Sequence, residues 1–308
     1  MTQDAALSEL FDEKGRLKQF LPLDKMSVDN GQMHFLVCPG LGDLAWVMAK
    51  FIPLKDRCTF WFNNDQYKRQ SQYADMLGIK YDFCDVDIAR LYEAPGEFSE
   101  QEITDGGFIG YLHANTHIES GKRIEDWHPF LPRVNPAPFG RWGGFTYRNR
   151  IPQQITVHMA SANYQEGNWP PKAWAKALRH IEENYGPVTV VGAFWDTKFA
   201  ERVFETYQPA NSMLDQPLAD VIETIRTSRA MIGFDSGICI LAKYMGVPTM
   251  QYYPKWLRTD TPSARHPNGT NMPGSWEFDA HPKSGWGFVE DALDRDHDSY
   301  FGNWLDTL

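Results

Sequence analysis

The sequence predicts an α/β protein with two facing domains, and two turns far apart in the chain carry this prediction. In the first turn, an apolar run ends at Gly40 and Gly42 and continues into a helical pattern. In the second, an apolar run passes through Asp235, Ser236 and Gly237 into another helix-like stretch. Each of these strand–turn–helix units exposes a helix N-terminus. Its N–H groups and the positive end of its dipole suit phosphates and sugar hydroxyls.

The first half of the chain alternates short apolar runs with helical patterns. Strands are predicted near His34–Cys38, Thr59–Phe62 and Tyr81–Cys84, and helices near Leu44–Phe51 and Asp65–Leu77. From Glu119 to Pro152, prolines and a glycine-rich turn replace this pattern. Because such stretches commonly join domains, we predict an N-terminal domain over residues 1–150.

The second half shows the same alternation more clearly. Its predicted strands are Ile155–Met159, Val188–Val191, Ala230–Phe234 and Thr249–Tyr252, and its predicted helices are Pro171–Tyr185, Lys198–Thr206, Leu218–Thr227 and Ile238–Met245. Helices between short runs rich in Val and Ile indicate a parallel sheet covered on both faces. We predict a second domain over residues 151–285 and a separate C-terminal segment over 286–308.

Composition narrows the class of protein. A chain of 308 residues with 42% hydrophobic side chains is long enough for two cores. Its net charge of −10 argues against a protein that coats nucleic acid. The four cysteines form no CxxC pair, which favours free thiols in a reducing compartment. Since neither a signal-peptide pattern nor a membrane-spanning apolar run is visible, we expect a cytoplasmic protein.

The N-terminal turn is compatible with two chemistries. Gly40, Gly42 and Ala45 fit the loose GxGxx(G/A) pattern of dinucleotide-binding folds. Asp65 stands where a ribose-binding acid would belong. Asp43, however, would face a pyrophosphate, and a carboxylate at a helix N-terminus is better suited to accept a proton from a substrate hydroxyl. Two alternatives stay open. Asp43 only caps its helix, or the protein is an NAD-dependent oxidoreductase.

The acidic residues elsewhere are ambiguous in the same way. Asp235 and Ser236 are either plain helix caps or, with Gly237, a turn that lets a diphosphate approach the backbone. The pairs Asp85–Asp87 and Asp294–Asp296 have the DxD spacing with which some sugar transferases hold a divalent metal. Pairs at this spacing are common by chance, and the histidines show no metal-ligand spacing. We therefore expect no metal site.

A basic and aromatic stretch runs from Lys122 to Arg150. It holds six basic residues and two acids, a local charge of +4, with aromatic side chains interleaved. Such a mixture suits a phosphorylated glycolipid or a modified base in DNA, because it can hold phosphates and stack on sugars or bases. The alternative is an irregular linker whose aromatic side chains fill the gap between the domains.

Three motifs occur in one order along the chain. They are Gly40-Leu41-Gly42-Asp43, then Asn168-Trp169-Pro170, then Asp235-Ser236-Gly237 with Leu241-Ala242 and Gly246-Val247-Pro248-Thr249. Together they resemble the heptosyltransferases, glycosyltransferase family nine, the lipopolysaccharide ADP-heptose transferases. The resemblance implies a GT-B fold: two Rossmann-like domains facing a central cleft, with the acceptor on the N-terminal one and the nucleotide-sugar donor mainly on the C-terminal one. It also implies a C-terminal helix, here within 286–308, that crosses back to the N-terminal domain.

The resemblance assigns roles to particular residues. Asp43 takes the position of the general base, and Ser236 and Gly237 line the donor diphosphate with Asp235 near the sugar. The full set of candidate donor-binding residues is Ser161, Trp169, Gly192, Asp235, Ser236 and Gly237. The acceptor-side candidates are Gly40, Gly42, Arg141 and Trp142.

The sequence departs from the family pattern at two places. Gly167 and Asn168 stand where family members commonly carry a basic residue that meets the donor phosphates, and Ile240 stands where they often have a histidine. The donor is therefore not tied to ADP-heptose. Compensating positive charge is expected from another side chain, with Lys198, Lys255 and Arg258 as the candidates.

The predicted reaction is transfer of a hexosyl, heptosyl or pentosyl group. In-line attack at the anomeric carbon needs an activated acceptor hydroxyl, supplied by Asp43, and a stabilised diphosphate leaving group at the Ser236/Gly237 helix end. This implies an inverting enzyme without metal or cofactor, whose nucleotide-sugar is the donor substrate. The expected acceptor is a saccharide or glycolipid. A hydroxylated base in DNA, an NAD-dependent oxidoreductase and a non-catalytic nucleotide-sugar-binding protein are the alternatives.

Overall fold

The computed structural model describes residues 33–37, 41, 44, 56, 58–63, 68–84, 110–112, 151–160, 168–253, 283–288 and 303–308. The chain divides into two compact units, Met1–Val134 with Pro262–Thr270 and Asn135–Thr261 with Asn271–Leu308. The predicted junction near residue 150 and the limits 1–150, 151–285 and 286–308 stay predictions. Within the described part of the chain, no helix combines the length and the apolar character needed to cross a membrane.

The first unit contains a parallel sheet of four strands. Its elements are β1 (Met33–Val37), β2 (Cys58–Asn63), α1 (Lys68–Leu77), β3 (Tyr81–Cys84) and β4 (Gly110–Leu112). The strand order is β3-β2-β1-β4, and every pairing is parallel. The order reverses between β1 and β4, and ligands of open α/β sheets bind beyond the carboxyl ends of the strands at such a point. β1 ends at Val37, three positions before Gly40 in the sequence.

Local chemistry explains how α1 begins to pack and where it ends. Tyr73, Ala74 and Leu77 are buried, which is the spacing of one helix face. Gly78 has φ +62, and its N–H donates to Asp75 O while the N–H of Ile79 donates to Ala74 O. These two bonds form a Schellman motif, for which glycine is favoured because it adopts positive φ without strain.

The second unit contains a parallel sheet of six strands. Its elements are β5 (Ile151–His158), α2 (Pro171–Asn184), β6 (Val188–Gly192), α3 (Phe194–Phe204), β7 (Asn211–Leu214), α4 (Leu218–Thr227), β8 (Ser228–Phe234), α5 (Gly237–Tyr244), β9 (Thr249–Tyr253), β10 (Gly285–Phe288) and the short turn of helix α6 (Asn303–Leu305). The strand order is β10-β9-β8-β5-β6-β7. β5 therefore lies between β8 and β6, although both follow it in the chain.

The core of this unit lies where the central strands meet α2. Ile155, Val157, Val188, Val190 and Ile232 are fully buried, so the central strands present apolar side chains to the covering helices. The chain turns sharply between α2 and β6 at Gly186, which has φ +124. A Cβ there would lie 2.3 Å from Gln153 O, so only glycine fits.

The structure confirms the alternating pattern and corrects its details. The prediction of α4 is right at both ends, and Pro171 begins α2 as expected. The helix predicted over Lys198–Thr206 begins at Phe194 and ends at Phe204. Three strands were not predicted, namely β4, β7 and β10. Of the helix predicted near Leu44–Phe51, the structure describes Leu44, which is helical and buried.

The described residues of the C-terminal segment join the second unit. β10 extends its sheet by pairing with β9. Leu305 is buried in the core of this unit, and its carbonyl accepts a 2.9 Å hydrogen bond from Arg229 Nη2. The crossing of the segment 286–308 to the N-terminal domain stays a prediction, since residues 289–302 lie outside the described part of the chain.

Candidate functional site

Three neighbouring strands of the second sheet end at one edge and bring together a set of polar side chains. β8 leads into Asp235 and Ser236, β5 ends at His158, and β6 leads into α3, whose first turn carries Asp196. Because the strands are parallel, their carboxyl ends meet at the same edge, which is where open α/β sheets bind ligands. Asp235, Ser236 and Gly237 are half-buried there, between buried residues on either side.

Ser236 occupies the N-cap position of α5 but does not cap the helix. Its backbone is extended, and its side chain makes no capping hydrogen bond. The Oγ atom instead lies 2.9 Å from Nδ1 of His158. An N-cap serine ordinarily accepts a hydrogen bond from an N–H group of the first turn. Because Ser236 does not, the N–H groups of Gly237 and Ile238 are left to solvent or to a ligand, while the N–H of Cys239 donates to the Ser236 carbonyl.

His158 joins Ser236 to a buried carboxylate. Its Nε2 lies 3.3 Å from Oδ2 of Asp196, and both residues are 6% exposed. The same Oδ2 accepts a 2.7 Å hydrogen bond from the backbone N–H of Ala193. Gly192 leaves room for this arrangement, because a Cβ there would lie 3.0 Å from Cβ of Asp196 and 3.2 Å from its Oδ2.

The charge of His158 follows from this environment. Burial by itself lowers the pKa of an imidazole, but the hydrogen bond to Asp196, the neighbouring Cys239 sulfur and the charge of Asp196 outweigh it and raise the pKa to about 9. A pKa of about 9 favours the imidazolium at neutral pH. In that state the ring holds its positive charge against Ser236, the residue that precedes α5.

A second polar group lies on the other side of this turn. Gln251 of β9 is 1% exposed, and its Nε2 donates a 2.7 Å hydrogen bond to Oδ1 of Asp235. Lys243 of α5 is also buried, and its Nζ donates to the hydroxyl of Tyr253 at 3.4 Å. Burial lowers the pKa of Lys243 to about 8, although the nearby Cys239 and Asp235 favour its charged form. The hydrogen bond from Gln251 holds the Asp235 carboxylate in place.

The structure brings four of the predicted donor-side residues into this region. Asp235, Ser236 and Gly237 form the turn itself, and Gly192 contacts Asp196, which reaches the turn through His158. Trp169 is instead 1% exposed and packs its ring against Trp174 and Tyr252 in the core. Its donor-binding role stays a prediction.

The remaining predicted residues lie outside the described part of the chain. These are Asp43, Gly40, Gly42, Ser161, Arg141, Trp142, Lys255 and Arg258, together with both DxD pairs beyond Cys84. Lys198 is described and is exposed on α3. Among the described residues, no three His, Cys, Asp or Glu side chains form a group that could hold a metal ion.

Sequence reasoning missed His158 and Asp196. Each carried a weak local signal: a histidine ends the apolar run of β5, and an aspartate follows Ala193 by three residues, as in a capping arrangement. Neither signal predicts that the two side chains meet.

Comparison with solved structures decides the fold. The glycosyl transferase family 9 protein from Veillonella parvula has a TM-score of 0.52 at 13% identity, covering 85% of this chain and 88% of that one. E. coli ADP-heptose lps heptosyltransferase II has a TM-score of 0.53 at 11% identity, covering 90% and 99%. E. coli heptosyltransferase WaaC with ADP has a TM-score of 0.50 at 11% identity, covering 88% and 100%.

This chain has a GT-B fold. The prediction of two Rossmann-like domains is confirmed, and the resemblance to family nine is confirmed at the level of the fold. No family model matches the sequence, and no curated protein matches it either. At these identities the likeness concerns the fold, so the function has to be argued from the site.

Proposed function

We propose that this protein transfers a sugar from a nucleotide-sugar donor to an acceptor hydroxyl, with the donor diphosphate bound at the N-terminus of α5. One observation carries the proposal: Ser236 turns its hydroxyl to His158 instead of capping its own helix. The N–H groups of Gly237 and Ile238, the positive end of the helix dipole and the Ser236 hydroxyl are then available to one anionic ligand. Gly237 allows that ligand to approach the backbone closely.

The proposed chemistry is displacement at the anomeric carbon. The acceptor oxygen forms the new bond to that carbon, the bond to the donor phosphate oxygen breaks, and the nucleoside diphosphate leaves with the electron pair. Asp43 is proposed to take the acceptor proton. Developing charge on the leaving group is stabilised by the α5 N-terminus, which is an electrostatic contribution of the kind that dominates many enzymatic rate accelerations. Attack opposite the leaving group inverts the anomeric configuration.

The acceptor is proposed to be a saccharide or glycolipid hydroxyl. The net charge of −10 supports this proposal, because it disfavours a polyanionic acceptor such as DNA. The test is a salt series, because each phosphate contact with duplex DNA lowers log affinity by about 0.9 per unit of log salt. A steep slope that flattens when Arg141, Arg148 and Arg150 are changed to Ala would favour a hydroxylated DNA base instead.

The donor is tested by calorimetry with ADP, UDP, GDP and NAD. We expect one or more nucleoside diphosphates to bind wild type, and Ser236→Ala to weaken this binding by about tenfold or more, since a hydrogen bond to a charged group is lost. Ser212→Ala, at an exposed serine of β7, is the matched control and should bind like wild type. Binding of NAD alone would favour the oxidoreductase, and binding of none would contradict the proposal.

The base is tested by Asp43→Asn. We expect unchanged affinity for the nucleoside diphosphate and a kcat lowered by about 10²-fold or more, the usual contribution of a positioned base. Near-normal turnover in this variant would show that Asp43 only caps its helix or acts elsewhere.

A further inference from the structure

We propose that His158 is a positioning residue: as an imidazolium it donates to both Asp196 and Ser236, and so leaves the hydroxyl proton of Ser236 for the bound diphosphate. The part that concerns the diphosphate rests on the proposed function. The part that concerns the ring and the hydroxyl rests on the geometry of three side chains alone. The candidate cations of the sequence were Lys198, Lys255 and Arg258, and His158 adds one that acts through a neighbour.

The first step concerns Nε2 of His158. Its partner, Oδ2 of Asp196, lies at 3.3 Å and already accepts the N–H of Ala193. A carboxylate oxygen that accepts one hydrogen bond and faces a ring nitrogen requires a proton on that nitrogen. Nε2 therefore carries a hydrogen whether the ring is charged or neutral.

The second step concerns Nδ1, which lies 2.9 Å from Oγ of Ser236. In a neutral ring with its hydrogen on Nε2, Nδ1 has a lone pair, and Ser236 must donate its only proton to it. In an imidazolium, Nδ1 donates and Oγ accepts, so the hydroxyl proton is free to point elsewhere. The charge of the ring thus decides which way the Ser236 hydroxyl points.

The third step concerns which state is present. A buried carboxylate without compensation is costly, and an imidazolium at 3.3 Å compensates it. The titratable groups that face His158 are Asp196 from α3 and Cys239 from α5, and they keep its pKa raised. Lys243, on the same helix, faces Cys239 and Asp235. The imidazolium also places positive charge beside Ser236.

The protonation state is tested directly by nitrogen NMR of the imidazole rings in protein labelled with nitrogen-15. The His158 signals are assigned by their loss in His158→Gln. Near neutral pH we expect both ring nitrogens of His158 to be protonated, and Nδ1 to lose its proton as pH rises through about 9. A neutral His158 ring near neutral pH would overturn the proposal, and this result needs no ligand.

The consequence for binding is tested with ADP and UDP across the same pH range. The terminal phosphate of such probes ionises near pH 6, so the charge of the probe is constant above neutrality. Wild-type affinity should fall by about tenfold as His158 deprotonates, since the Ser236 proton is then used by Nδ1. Ser236→Ala should bind weakly at neutral pH and show a clearly smaller fall, due to the lost ring charge alone, while Ser212→Ala should follow wild type.

The outcomes separate the two proposals. An equal fall in wild type and Ser236→Ala would overturn the role of the hydroxyl even if ADP or UDP binds. Absence of any binding by ADP, UDP and GDP would overturn the proposed function and with it the ligand part of this inference, whereas the NMR result would still decide the charge of His158. If His158→Gln fails to fold, the spectra of wild type and Ser236→Ala identify the His158 ring by the change at Nδ1.

Discussion

The N-termini of α3 and α5 lie at the same edge of the second sheet, and they are finished in different ways. Neither helix has a side-chain cap on its first-turn N–H groups. At α3, Asp196 turns back and accepts the N–H of Ala193, so a carboxylate lies at the helix end. At α5, Ser236 turns away to His158, and the first turn holds no acidic residue. An anion is repelled by the carboxylate at α3 and attracted by the open end of α5. One buried histidine couples the two ends.

Asp196→Asn should have the largest effect on stability. The substitution leaves the His158 imidazolium buried without its negative partner, and breaking a buried ion pair from one side typically costs about 3–5 kcal/mol. Denaturant unfolding measures the loss. The cost should shrink above pH about 9, where His158 is neutral in the wild type as well. A cost independent of pH would mean that capping of α3, and not the ion pair, is what Asp196 contributes.

Gly237→Val should change the N-terminus of α5 and leave the N-terminus of α3 unaffected. The added side chain stands where a diphosphate would meet the N–H groups of α5, so affinity for ADP or UDP should fall by about 10²-fold. The thermal unfolding midpoint and the pH profile of the His158 ring serve as controls and should stay near the wild-type values. A fall in affinity accompanied by loss of the folded state would not support diphosphate binding at the N-terminus of α5.

The free energy of unfolding should pass through a minimum near pH 8 to 9. His158 has a folded pKa of about 9, raised from 6.5, so its stabilisation is complete below 6.5 and is lost as pH rises through 9. Lys243 has a folded pKa of about 8, lowered from 10.5, so its burial is costly below 8 and the cost disappears as pH rises toward 10.5. Between pH 6.5 and 8, where only the His158 effect changes, the free energy of unfolding should fall by about 2 kcal/mol.

Two variants separate the limbs of that profile. His158→Gln should remove the falling limb, and Lys243→Met should remove the rising one. The comparison is made as a difference from wild type at each pH, so that other titrating groups cancel. Stability that rises steadily from neutral pH upward would contradict the raised pKa of His158.

Removal of divalent metal should have the smallest effect. If the helix end and the histidine hold the diphosphate, turnover should persist in excess EDTA. The control is the same assay with added Mg²⁺ or Mn²⁺. Turnover lost in chelator and restored by either ion would instead give Asp85 and Asp87 a part in binding the donor.

Local sequence patterns predicted the elements whose own residues form an apolar run or an apolar helix face. α4 was predicted at both ends, and the buried strands β6 and β8 were found from their apolar runs. The three strands that were missed, β4, β7 and β10, all lie at sheet edges. β7 reads Asn-Ser-Met-Leu and β10 reads Gly-Trp-Gly-Phe, so neither shows a continuous apolar run. An edge strand pairs on one side and needs less apolar surface.

By itself the sequence determined the α/β class, the turn at Asp235, Ser236 and Gly237, and the helix end behind it, because each depends on residues adjacent in the chain. Only the tertiary structure decided that Ser236 leaves its helix uncapped. Its partner His158 is 78 residues away in the chain, and Asp196, which lies between the two, is 38 residues from His158. They meet because the sheet order places β5 between β8 and β6. That order is set by how the apolar faces of strands and helices pack, which no local spacing encodes.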